Sequence, residues 1–172
     1  IIDAFLKDKK LICYGGTAVN NLLPKKDQFY NNVFPDYDFY STNAMKDAIL
    51  LADIYFKKGF YNVIAKSGMH EGTYKVFVNY LPVADITQID SKLFKNLFIT
   101  AHNKKGIYYC PPDYLKMNMY LELSRPKGDV SRWEKVYSRL TLLNKNYPIK
   151  THDCNLKSNI NLKYFDKLVS CF

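Results

Sequence analysis

The chain has 172 residues and a formal net charge of +9, from 25 Lys and Arg against 16 Asp and Glu. Hydrophobic residues make up 48% and aromatics 16%, enough apolar surface to offset ordering entropy, which excludes a disordered, charge-driven chain. The length suits one core of ordinary size, or one domain and part of a second, and no run of about 18 apolar residues exists, so no membrane partner is expected.

The first residues, Ile1-Ile2-Asp3-Ala4, are neither an initiator Met nor a leader peptide, and read as part of a longer chain. Leu11 to Tyr14 is a short apolar run that ends at Gly15-Gly16, a strand running into a tight turn. Thr17 then opens a short helix through Leu23, stopped by Pro24. After Pro35, the alternating and aromatic Asp36-Tyr37-Asp38-Phe39-Tyr40 is a strand. Ser41 or Thr42 caps the next helix, which carries Ala44, Met45, Ala48, Ile49, Ala52 and Tyr55 near helical spacing and stops at Gly59. Tyr61 to Ala65 and Thr73 to Val78 are strands joined by a glycine-bearing loop over 67–72, and Val83 to Ile89 is a further strand. His70 in that loop reads as a surface residue, with the lining of a substrate cleft as the alternative. Ser91 to Phe98 is a short helix.

After Gly106 the character changes. Ile107 to Cys110 is a short extended piece, and Pro111-Pro112 marks a boundary. Two helices follow, from about Asp113 to Leu123 and from about Asp129 to Leu143. In the second, Trp133, Val136, Tyr137, Leu140 and Leu143 form an apolar stripe, with Arg132, Lys135 and Arg139 on a neighbouring face. The charge divides at the same place. Residues 1–103 carry 12 basic and 10 acidic side chains, whereas 104–150 carry 10 basic and 4 acidic. The Lys-rich, Arg-poor composition is also what an A+T-rich coding sequence produces, but such a bias does not concentrate charge in one segment. A concentrated surplus is what a polyanion such as RNA attracts. The four cysteines, Cys13, Cys110, Cys154 and Cys171, are far apart with no close ligand pair, so free thiols in a reducing compartment are expected rather than a zinc site.

Three features carry chemistry. Tyr14-Gly15-Gly16-Thr17 lies at a strand end before a helix, where glycine allows close backbone approach and the first helical amides are donors for an anion. Alone, such a turn is plain structure more often than a phosphate site. Asp36 and Asp38 share one face of a strand, because side chains alternate with a period of two. Two close carboxylates near a core need a cation between them, and Mg²⁺ suits such hard ligands; a solvated edge strand is the alternative. Asp85 stands alone in the apolar run Val83-Ala84-Asp85-Ile86 and is either solvent-facing or a third metal ligand. On a neighbouring strand, it would complete a set able to hold two divalent ions.

Together these features resemble the nucleotidyltransferase superfamily of the DNA polymerase β type. More narrowly, the sequence is similar to the poly(A) polymerase catalytic subunits of large DNA viruses. The stretches that carry this are YGGTAVNNLL at 14–23, PDYDFYS at 35–41, GMHEGTY at 68–74, VADI at 83–86, PPDYLKMNMYLELSRP at 111–126 and RWEKVYSRL at 132–140. The resemblance implies an α+β fold, with a polymerase β-like mixed sheet flanked by helices and followed by the start of a helical part. Residues 1–106 would be the catalytic domain, and 107–172 a helical extension that begins a second domain. Gly15, Gly16 and Thr17 would hold the triphosphate of ATP. Asp36 and Asp38 would ligate two Mg²⁺ or Mn²⁺ ions, and Asp85 would complete the one that activates an RNA 3′-hydroxyl. Arg125, Lys127, Arg132, Lys135 and Arg139 would be RNA or phosphate contacts. ATP and an RNA 3′ end would be the partners, with a homodimer or a viral processivity partner as a further expectation and a cytoplasmic setting, in a virion or virus factory. Polymerases of this family are considerably longer than 172 residues. Transfer to a small-molecule or protein acceptor, or a non-catalytic RNA-binding role for the same fold, are the competing readings.

Overall fold

The computed structural model describes residues 1–30, 35–125 and 127–148. The expectations placed on Pro126, on His152, Cys154 and Cys171, and on the remainder of 149–172 therefore lie outside the described residues. The elements are α1 (Ile2–Lys9), β1 (Ile12–Tyr14), α2 (Gly15–Leu22), β2 (Tyr37–Ser41), α3 (Ala44–Lys57), β3 (Val63–Ser67), β4 (Thr73–Val78), β5 (Leu81–Gln88), α4 (Ser91–Thr100), β6 (His102–Lys104), β7 (Ile107–Tyr109), α5 (Pro112–Leu123) and α6 (Trp133–Asn146). A short 3₁₀ turn at Lys25–Asp27 follows α2, and another at Val130–Arg132 precedes α6.

Seven strands form one sheet in the order β3-β4-β5-β2-β1-β7-β6. It is mixed: β2 pairs parallel with β5 and β1 parallel with β7, and the other neighbours are antiparallel. This is the expected α+β architecture of a mixed sheet flanked by helices. Because β2 and β5 are adjacent but distant in sequence, two acidic segments 47 residues apart become neighbours in register, Asp38 opposite Asp85.

The two faces of the sheet differ. Cys13, Phe39, Ala84, Ile86 and Val76 are fully buried on the face covered by α1 and α3, where the Phe5 ring meets Phe39 at 6.2 Å between centroids. The opposite face carries Tyr14, Asp38, Tyr40 and Asp85 by strand alternation. α3 buries Ala44, Asp47, Ala48, Leu51 and Tyr55, while Met45 and Ile49, expected on its inner stripe, are half-exposed. The stripe is rotated because Asp47 is drawn inward by Ser41 Oγ, which donates to it at 2.6 Å, and by Lys9 at 3.1 Å. The start of α3 is held by side chains from elsewhere. The Asn43 amide donates to Ser41 Oγ and the Ala44 amide to Gln88 Oε1, so Ser41 rather than Thr42 acts there.

Residue 106 does not end the sheet. Gly106 and Lys105 have positive φ in the tight turn between β6 and β7, and β7 pairs with β1 in the middle of the molecule. The expected division at 106/107 thus falls inside a hairpin, and the purely helical part begins at Pro112. Pro112 occupies the first turn of α5, where a missing N–H costs nothing. In α6, Val136, Leu140 and Leu143 are buried, whereas Trp133 and Tyr137 are 37% and 65% exposed. Its inner face therefore follows i, i+4, i+7 and is narrower than the expected stripe.

Candidate active site

β1 ends at Tyr14, and α2 begins at once with Gly15 and Gly16. Gly15 has φ +65°, and a Cβ built on it would lie 2.1 Å from Asp38 Oδ2. Only glycine both adopts that backbone and lets the carboxylate approach. Asp38 then accepts a hydrogen bond from the Gly16 backbone amide, so the first turn of α2 is already oriented toward an anion. Thr17 is buried, and its hydroxyl donates to the Asp36 carbonyl oxygen at 2.7 Å. That hydroxyl ties the chain before β2 to α2 and fixes where Asp36 and Asp38 project. Asp36 lies just before β2 and is exposed; Asp38 is half-buried.

Asp85 stands beside Asp38 on β5, at the roughly 4.8 Å spacing of adjacent strands. Burial first, then the charges of Asp36 and Asp85, push the Asp38 carboxyl from its ordinary 3.8 up to about 7. Asp38 and Asp85 are therefore neighbours in register on β2 and β5, and Asp36, just before β2, is within electrostatic reach of Asp38. Lys75, opposite Asp85 on β4, forms an ion pair with Asp85 Oδ2. Asp85 Oδ1 is buried and has no hydrogen-bond partner. A buried carboxylate oxygen without a donor is costly unless something else satisfies it.

The floor is polar and aromatic. Tyr14 stacks on Tyr40 at 4.1 Å, and its hydroxyl meets Thr87 Oγ1 at 2.8 Å, which meets Thr73 Oγ1 at 3.0 Å. Of the five basic residues expected to contact RNA or phosphate, one reaches this cleft. The Arg139 guanidinium lies 2.9 Å from where a Cβ of Gly16 would be. Arg132 instead pairs with Glu122 of α5 at 3.2 Å, and Arg125, Lys127 and Lys135 are exposed.

Among the described residues, no three His, Cys, Asp or Glu side chains close around one point as a ready cage. The donors nevertheless fit a hard cation that keeps other ligands of its own: two adjacent carboxylates, one orphaned oxygen, a third carboxylate in electrostatic reach and a single lysine against three negative charges. Lys75 was not anticipated from sequence. Its signal was one Lys in the apolar strand Thr73-Tyr74-Lys75-Val76-Phe77-Val78, whose partner only the β4–β5 register reveals. Phe29 and Tyr30, which pack on Arg139, carried no such signal.

A glycine turn opening a helix beside an Asp-x-Asp strand, with a third Asp in register on the neighbouring strand, defines the nucleotidyltransferase fold. Within that class, the chain belongs to the poly(A) polymerase catalytic subunit family, whose profile matches residues 1–129. A protein of Acanthamoeba polyphaga mimivirus named as a poly(A) polymerase catalytic subunit is 34% identical over 161 residues, 91% of this chain and 27% of that protein. An African swine fever virus protein of the same name is 34% identical over 158 residues, 87% of this chain and 33% of its own. The crystal structure of the Megavirus polyadenylate synthase matches with a TM-score of 0.82 at 33% identity, over 88% of this chain and 31% of that one. The chain thus spans about a third of the length of these relatives.

Proposed function

We propose that the chain carries the catalytic centre of a template-independent RNA nucleotidyltransferase that adds AMP from ATP to RNA 3′ ends and releases pyrophosphate. The observation that carries this reading is the convergence of Asp38, Asp85 and the Gly16 amide, with Asp85 Oδ1 buried and unpartnered. Asp36, Asp38 and Asp85 would hold two Mg²⁺ or Mn²⁺ ions, which when bound would supply charge neutralisation at the α-phosphate and make the attacking hydroxyl more acidic. Gly15 and Gly16 admit the triphosphate to the N-terminus of α2, where the helix dipole favours its charge. Thr17 supports that turn through its bond to Asp36.

In the reaction, the RNA 3′-oxygen bonds to the α-phosphorus, and the bond from that phosphorus to the α–β bridging oxygen breaks. Pyrophosphate leaves with the electron pair, and the hydroxyl proton departs toward Asp85. The residues act chiefly by holding the reactants in line and by placing charge in advance. Lys75, on the β4 side of Asp85, offsets part of its negative charge. Arg125, Lys127, Arg132, Lys135 and Arg139 are the candidates for RNA or phosphate contact, on the side where the positive surplus lies. The names of the relatives favour polyadenylation over transfer to a small molecule or protein. The family's description as a catalytic subunit supports a further partner, another subunit or a second copy of the chain.

The test is ATP incorporation onto an RNA primer in Mg²⁺ or Mn²⁺ by the wild type and by Asp36→Ala combined with Asp38→Ala. The reading expects a lengthened primer from the first and none from the second. Full activity in the double variant would sink it.

A further inference from the structure

Arg139 is placed unlike the other basic residues. It lies half-buried on α6, and among the described residues it has no carboxylate partner. It is held instead by aromatic rings. Its guanidinium carbon lies 4.8 Å from the Phe29 ring centroid and 5.7 Å from that of Tyr30, and Nη2 donates to the Tyr30 hydroxyl at 3.0 Å. Those rings are fixed to α2, because the Phe29 and Tyr30 amides both donate to Asn20 Oδ1, at 2.8 and 2.9 Å. The assembly stands directly over the glycine turn. A Cβ on Gly16 would meet Tyr30 Oη at 2.3 Å, Arg139 Nη1 at 2.9 Å and Nη2 at 3.1 Å.

A guanidinium carries five donors in a planar fork, and among the described residues one of them is used. Cation–π contact holds the group in place without neutralising its charge. The result is a pre-positioned, uncompensated fork at the start of α2, matched in shape to phosphate oxygens. Asp38 lies against Gly15 and Arg139 against Gly16, so a carboxylate and a guanidinium both border the turn.

We propose that Arg139 grips the pyrophosphate portion of the incoming nucleoside triphosphate, exchanging the Tyr30 hydroxyl for phosphate oxygens, and so stabilises the leaving group. This rests on the nucleotidyltransferase reading above and assigns Arg139 to the triphosphate rather than to the RNA strand. It also gives α6 a part in nucleotide binding. The glycine turn is complete only when the helical part folds over it.

The test is equilibrium binding by the full chain, in Mg²⁺, of α,β-methylene-ATP and of AMP, for the wild type, Arg139→Ala, Arg139→Lys and Tyr30→Phe. Arg139→Ala should weaken the triphosphate analogue roughly ten- to a hundredfold, the size of a lost charge-assisted hydrogen bond, and leave AMP and RNA primer affinity unchanged. Arg139→Lys should fall between. Tyr30→Phe should bind the analogue at least as tightly as the wild type, because the displaced hydroxyl is no longer there. An Arg139→Ala chain that holds the analogue as the wild type does overturns the proposal and leaves the nucleotidyltransferase reading standing. Equal loss of AMP and analogue makes Arg139 a structural bolt and overturns it too; loss confined to the RNA primer reassigns it to the strand. A wild type that binds no triphosphate defeats the underlying reading itself. If Arg139→Ala does not fold, the ratio of analogue to AMP affinity in Arg139→Lys decides: a fall supports the proposal, and an unchanged ratio overturns it.

Discussion

At Asp38, burial and two neighbouring carboxylates act in the same direction, and together they outweigh the Gly16 amide and Lys75. The folded carboxyl, at about 7, holds a proton that the unfolded chain releases near 3.8. Its contribution to stability is therefore complete below about pH 4 and is lost as pH rises through 7. Asp38→Asn removes the charge but keeps an oxygen to accept from Gly16. In EDTA at pH 8, the variant should melt higher than the wild type, by a margin worth on the order of a few kcal/mol, and the gap should close at pH 4. Equal melting temperatures at both pH values would contradict this account of the site. Asp36, Asp38 and Asp85 were legible in the sequence because carboxylates in apolar or aromatic strands are conspicuous. Lys75 and Tyr30 were not, since the first depends on strand register and the second on a helix more than a hundred residues away.

Most elements follow from local pattern. The aromatic alternation of β2, the turn at Gly15-Gly16 and the proline-opened α5 were each readable. α1, with Lys7, Lys9, Asp3 and Asp8 in its eight-residue span, offered no clear periodicity, and its role is clear only from Phe5 meeting Phe39. β6 is three exposed polar residues and exists because β7 pairs with it. The faces of α3 and α6 were harder than their existence, because a buried Asp47 or an exposed Tyr137 violates simple hydrophobic patterning. α6 gives a direct check. Leu140, 4% exposed, should cost about 2–5 kcal/mol as Leu140→Ala in urea unfolding. Tyr137→Ser should change stability by less than about 0.5 kcal/mol. The reverse order would mean that the helix packs on another face.

On the scale of the whole molecule, α6 and the residue that follows it are pinned to α2 and the segment after α2 at several points. Lys145 and Asn146 hold Asp27, the Tyr147 hydroxyl donates to the Leu22 carbonyl at 2.8 Å, and Arg139 reaches Tyr30. All of these land on α2 or the segment after it, so α6 lies against the element that begins with the glycine turn. The change of character near residue 106 coincides with the β6–β7 turn, and β7 still joins the sheet. A Gly in a hairpin turn reads as a boundary until the non-local β1–β7 pairing is known. The charge division survives this shift, with the acids on the sheet and most of the basic surplus on and after β6. The central claim is that carboxylates and glycine turn form one metal–nucleotide site. It is tested most directly by a crystal structure of the chain grown with Mn²⁺ and α,β-methylene-ATP, using anomalous scattering to find the metal. The account predicts Mn²⁺ peaks at ligand distance from Asp38 and Asp85, with the triphosphate on the first turn of α2. Metal and nucleotide bound elsewhere, with Asp85 still paired only to Lys75, would contradict it.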